Sequence, residues 1–145
     1  MFSKLLSTLM ASPTSLPPDD ARLALAALLV RIARADGVYA LVEAARIDRA
    51  LVSRYELSPF EAAHLRQEAE ALEAEAPDTV RFTRALKDAV PHEDRIALIE
   101  TLWSIALADG ERDAHEDAVI RLAASLLGVT DAESGLARKR MERGT

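Results

Sequence analysis

Apolar residues run almost without a break from Ala21 to Ala35, interrupted by Arg22, Arg31 and Arg34, a density that predicts a helix buried on most of its circumference. Asp36-Gly37 ends that run. A second helix is expected from about Leu41 to Tyr55. Ser58-Pro59-Phe60-Glu61 then opens a third, with a hydroxyl at the N-cap, proline at N1 and a glutamate at N3 that can reach back to the cap amide. The third helix, "FEAAHLRQEAEALEAEA", carries a glutamate-rich face that should be mostly solvated, and it stops at Pro77. Asp78 can cap a fourth helix, "TVRFTRALKDAV". Pro91-His92-Glu93-Asp94 marks the start of a fifth, "RIALIETLWSIALADG", which matches the first in apolar density. Asp113 with Glu116 and Thr130 with Glu133 are two further capping boxes, opening a sixth and a seventh helix, the last ending in the basic "LARKRMER". Nothing reads as a strand, so the pattern predicts an all-α domain of about seven helices.

The pattern also repeats. "IARADGVYALVEAARI" from Ile32 returns as "IALADGERDAHEDAVI" from Ile105, seventy-three positions on, and Ser58 with Glu61 returns as Thr130 with Glu133 at a shift of seventy-two. Each half therefore reads helix, Asp-Gly turn, helix, short loop, capping box, helix, and turn chemistry that agrees with apolar spacing over such a length indicates an internal duplication. Two pseudo-symmetric helical hairpin repeats, about 21–76 and 92–143, are expected to pack on each other, with the fourth helix as connector. "SPTSLPPDD" reads as a linker ahead of this body, which divides the chain into a segment 1–18 and a helical domain 19–145.

Composition supports helix over sheet. Half of the 145 residues are apolar but only 4% are aromatic, and much of the remainder is alanine. The formal charge of -6 has the wrong sign for gripping phosphates, which argues against a nucleic-acid partner. With no cysteine, disulfides, zinc-thiolate sites and iron-sulfur clusters are excluded. The first ten residues, "MFSKLLSTLM", fall short of the roughly 20 that a membrane span needs, and the prolines after them do not suit a signal peptide. Phe2, Leu5, Leu6 and Leu9 have helical spacing, so an amphipathic helix packed on its own core or on a second subunit is expected, with membrane contact through residues 1–10 as the lesser alternative. The default compartment is the cytoplasm.

The Asp-Gly-x5-Glu motif has two readings. In one it is a hairpin recipe: Gly37 and Gly110 take the left-handed conformation that closes a helix, and Glu116 serves the capping box of Asp113. Ala40, at the cap position of the first half, cannot accept an amide hydrogen bond, which leaves Glu43 less explained by capping. In the other reading the motif binds a cation, since Asp-Gly followed by Glu reproduces the second half of an EF-hand loop. The full loop is excluded, because its earlier carboxylate positions fall on Ile32 and Arg34, and on Ile105 and Leu107. A weaker divalent-cation site remains if the two corners approach and pool Asp36, Glu43, Asp109 and Glu116, since clustered carboxylates repel unless a cation or a proton relieves them.

The stretches "ALLVRIARADGVYALVEAARI" and "RFTRALKDAVPHEDRIALIETLWSIALADGERDAHEDAVI" resemble the TerB family, the helical module named for tellurite resistance, and the likeness spans Ala21 to Arg140. The resemblance implies an all-helical fold, "ADG" turns with following glutamates as the motif, a metal-associated role in stress response, and no catalytic activity. On motif matching that role falls on Asp36, Glu43, Asp109 and Glu116. The chain departs from the family pattern at Val38 and Ala40, where polar or acidic residues are common, so a full site is less expected in the first half.

The other candidates are fewer. His64 and His92 read as surface residues, whereas His115 lies inside the acidic segment and can offer a neutral nitrogen to a transition metal. No serine, threonine or lysine has a base partner at a recognisable spacing, and there is no Gly-rich phosphate loop, so an enzyme is not expected. Trp103 reads as a core anchor. Arg81, Arg84 and Lys87 share a helical face that is ordinarily solvated but can dock an acidic partner, such as the "EAEALEAEA" surface of a sister subunit. A protein partner or a homo-oligomer is therefore expected. The rival to a cation-binding module is an adaptor whose corners are purely structural and which acts through an exposed helix face.

Overall fold

The computed structural model describes residues 18–35, 37, 39–75, 79–108 and 114–143, the side chains of 18–20 excepted. Among these residues the chain forms seven helices and no strand: α1 (Pro18–Arg34), α2 (Leu41–Tyr55), α3 (Pro59–Glu75), α4 (Val80–Ala89), α5 (His92–Ala106), α6 (Ala114–Leu126) and α7 (Asp131–Arg143). The N-terminal amphipathic segment lies outside the described residues, and α1 takes in Pro18, which suits the first helical position because it has no N–H to satisfy. No helix among the described residues is long and apolar enough to cross a membrane.

The duplication is visible in the packing. In the first half α1 packs most extensively on α3, as α5 does on α7 in the second, and α1 and α5 each touch both middle helices, α2 and α6. One pattern of contacts is thus repeated in both halves. The α4 connector breaks it by covering α1 and α6. Enclosed by five neighbours, α1 is buried as its apolar run predicts: every residue from Ala24 to Val30 is fully shielded from solvent. The core continues through Ile47, Leu51, Leu72, Leu98, Ile99, Leu102 and Ile120, and Phe82 of α4 is the largest side chain fully inside it. Trp103 belongs to the same core, and its indole N–H donates to Ser134 Oγ at 3.1 Å.

Helix ends follow local chemistry. The amide of Glu61 donates to Ser58 Oγ at 3.1 Å while Glu61 accepts from the Ser58 amide at 2.9 Å, and Thr130 with Glu133 repeats both bonds at the same distances. Gly37 (φ +87°) follows α1, and its N–H donates to the Arg34 carbonyl at 2.9 Å. Gly128 (φ +76°) closes α6 with paired bonds from its own amide to Ser125 and from Val129 to Ala124. Glu56 ends α2 in the same left-handed region, at φ 54°, without the freedom glycine would have. Arg95 of α5 ties the connector down, donating to the carbonyls of Lys87, Val90 and Leu127 and so satisfying orphan acceptors at the ends of α4 and α6.

One local expectation lies outside the described residues and one differs from the structure. The fourth helix starts at Val80, with Thr79 ahead of it in helical conformation and making no side-chain cap bond; Asp78, the expected cap, lies outside the described residues. The third helix is less a solvated face than its glutamates suggest. It buries Ala62, Ala69 and Leu72, small enough on two turns for close approach to α1, and it draws Glu70 and Glu73 into ion pairs with side chains from neighbouring helices and its own turn.

Candidate functional site

Described residues that flank the two Asp-Gly motifs meet at one depression. Ala35, which precedes Asp36, and His115, which precedes Glu116, line one open depression of about 420 Å³ together with Arg31, Arg34, Ala118 and Val119. The packing of α1 on α6 brings this about: α1 delivers its C-terminal end where α6 begins. Asp36 and Asp109 themselves lie outside the described residues, as do Gly110 and Asp113.

Of the four predicted carboxylates, Glu43 and Glu116 are described, and their surroundings differ. Glu43, at the third position of α2, accepts from the Ala40 amide at 3.3 Å. One half of a capping box is thus made although Ala40 has no side-chain acceptor, and capping accounts for Glu43 better than the alanine alone suggests. Glu116, the corresponding residue of α6, is only 6% exposed and is the one charged side chain in the buried class among the described residues. A carboxylate held there requires hydrogen bonds, a cation or a proton to offset its lost hydration. Among the described residues no three Asp, Glu or His side chains converge in a way that would hold a metal ion.

The histidines separate as their positions suggest. His64 is 65% exposed and faces Glu68 one turn on at 3.2 Å, and His92 is exposed at the start of α5. His115 is exposed at the rim of the corner depression. On α4 Arg84 and Lys87 are exposed, as a solvated face requires, whereas Arg81 is partly buried, its Nη1 out of solvent and without a hydrogen-bond partner.

A chain of charges runs from the depression along α3. Glu73 accepts from Arg31 Nε at 3.0 Å and from Arg34 at 2.5 Å. The guanidinium of Arg34 stacks 5.1 Å from the Tyr39 ring centroid, and the Tyr39 hydroxyl donates to Glu70 at 2.5 Å. Glu70 also accepts from Arg66 at 2.9 Å, and Arg66 donates to Asp48 of α2 at 2.6 Å. Burial, and then the bond to Glu70, push the Tyr39 hydroxyl well above the usual tyrosine range, so it remains a donor at any physiological pH. The hydrogen bond to Asp48, offset in part by burial, raises Arg66 further above its already high value. Sequence reasoning missed this chain by treating the glutamates as solvated. The available signal was the spacing of Arg66, Glu70 and Glu73, which places all three on one helical stripe.

The chemistry of this site is ionic: an open depression lined by Arg31 and Arg34, both paired with Glu73 on the same wall, with the buried Glu116 next in sequence to its rim residue His115. Compared with known sequences, the chain is matched over residues 22–139 by the model of the family described as Tellurite resistance protein TerB. No curated protein and no solved structure matches it.

Proposed function

The chain belongs to the TerB family, and from that membership we propose that it is a non-catalytic module whose duplicated corners hold a divalent cation through Asp36, Glu43, Asp109 and Glu116. The observation that supports this reading is the shared depression: the residues immediately before Asp36 and Glu116 line the same concavity. Carboxylate oxygens are the donors that hard divalent ions prefer. Glu116 suits such a role because it is already held out of water. Glu43 accepts one long amide bond through Oε1, and a carboxylate has lone pairs beyond those that bond uses. The cation would supply charge neutralisation and a link between the halves, and the activity would lie in the stress response to which the family is assigned.

Titration calorimetry of the purified protein with calcium, magnesium, manganese and zinc tests this. Saturable binding that is lost in Asp109→Asn supports the reading, and a rise in melting temperature on adding the bound ion accompanies it. Silence with all four ions overturns it. A second reading then takes its place, because Leu41 and Val42, directly after the first corner, are 91% and 55% exposed. An apolar pair presented at a helix start favours contact with a protein partner, and the corners would then serve only to shape that surface.

A further inference from the structure

The duplication allows one half of the molecule to be compared with the other. In the first half Arg66 lies between two carboxylates, Asp48 at 2.6 Å and Glu70 at 2.9 Å. With the shifts that align the repeats, Arg66 corresponds to Arg138, Glu70 to Glu142 and Asp48 to Arg121. Two of the three residue types are kept, and the third reverses its charge.

The reversal leaves a vacancy for an anion. Arg138 Nε is buried with no hydrogen-bond partner, and Glu142 stands off at 3.9 Å, beyond hydrogen-bond reach. Arg121, exposed on α6, has no acceptor among the described residues. Between them lies a pocket of about 200 Å³, also lined by Trp103, Ser134, Asp117 and Asp131. Its floor is ordered: the Arg138 guanidinium sits 5.8 Å from the Trp103 ring centroid, and Trp103 donates to Ser134 Oγ, whose own proton is then available to an acceptor. Gly135 replaces Ala63 of the first half on the same wall, and a Cβ there would meet nothing within 4 Å.

We propose that this pocket binds a small zwitterion of the amino-acid class, its carboxylate between Arg138 and Arg121 where the first half places the Asp48 side chain. Its ammonium group is met by Asp131, and Asp131 with Asp117 on the same wall makes the pocket formally neutral and disfavours a multiply charged anion such as phosphate. A pocket of about 200 Å³ has room for a small amino acid.

Trp103 is the sole tryptophan, so its emission reports on the pocket directly. The protein is titrated with each of the common amino acids other than tryptophan and tyrosine, which emit themselves, and with acetate and inorganic phosphate. The expected result is a saturable change with at least one amino acid, a weaker response to acetate and a still weaker one to phosphate. Arg138→Gln should weaken binding about tenfold or more, as loss of one charge-assisted bond predicts. Arg121→Asp, at an exposed position, supplies the carboxylate that the first half has; it should abolish binding and raise the melting temperature of the free protein by about 2–4 °C. No saturable response to any amino acid, a tighter response to phosphate, or binding that survives Arg121→Asp would each overturn the proposal. So would a melting temperature in that variant that stays the same or falls.

Discussion

Glu73→Gln isolates the charge cluster that shapes the α1 side of the corners. The carboxylate is 11% exposed and accepts from Arg31, at 15% exposure, and from Arg34, at 35%. A hydrogen bond to a charged group contributes about 1.5–3 kcal/mol, and removing one partner of a buried ion pair costs about 3–5 kcal/mol. The second figure is too high here. Arg34 reaches solvent and can rehydrate, so its share is reduced to roughly that of a surface pair, below about 1 kcal/mol. Arg31 keeps a 3.3 Å bond to the Glu73 carbonyl and a position 5.3 Å from the Phe82 ring centroid, so it is not stranded either. Together these place the loss at about 2–3 kcal/mol, or roughly 4–12 °C in melting temperature for a chain of this size. Urea unfolding followed by circular dichroism measures it, and the slope of the transition should be unchanged because the buried area is the same. In a double-mutant cycle Arg31→Gln should cost much less in the Glu73→Gln background than in the wild-type. A loss below about 0.5 kcal/mol in Glu73→Gln, the level of an ordinary surface change, would refute the reasoning.

Glu56→Gly should stabilise the protein by about 1 kcal/mol, because glycine takes the left-handed conformation at the end of α2 without the Cβ clash that glutamate meets; a loss of stability in thermal unfolding counts against it. Ser58→Ala and Thr130→Ala should each cost about 1 kcal/mol, and by near-equal amounts, since the two boxes have the same geometry. The backbone and side-chain bonds from Ser58 and Thr130 hold the carboxyls of Glu61 and Glu133 below the usual carboxylate range. Their contribution is therefore present above the ordinary glutamate pKa and is lost as pH falls through the lowered values. Carboxyl titration by NMR should show Glu61 moving only part of the way toward the ordinary value in Ser58→Ala, because the larger cause, the bond from the residue 58 amide, survives; a full return would refute the assignment. Burial raises both tyrosines, Tyr39 and Tyr55, so their contribution is intact below the ordinary tyrosine value near 10 and is lost as pH rises through the higher folded values. Absorbance at the tyrosinate band should show neither half-ionised at pH 10.

By itself the sequence determined the helices and their order, because helix starts and stops are local events. Ser58 with Glu61 and Thr130 with Glu133 act across one turn, Gly37 closes α1 through its own backbone freedom, and the apolar run of α1 required burial on all sides whatever covered it. The duplication was also legible, since it is a statement about spacing. Which charges meet depended on packing. Glu43 and Glu116 occupy equivalent positions, yet one caps from a half-exposed position and the other is buried, a difference that local spacing does not contain. Glu73, Glu70 and Arg66 look like surface residues until α3 docks on α1 and α2 and brings their partners from thirty or more positions away for the first two, and from eighteen for the third. The reversal of Asp48 to Arg121 was readable as two letters, but its meaning came from the fold: only there does Arg138 stand where its counterpart has an acceptor, with a cavity in the acceptor's place. Local propensity decides over a few residues, whereas a charge takes its energy from whatever the chain brings near it, and distance along the sequence carries no information about that.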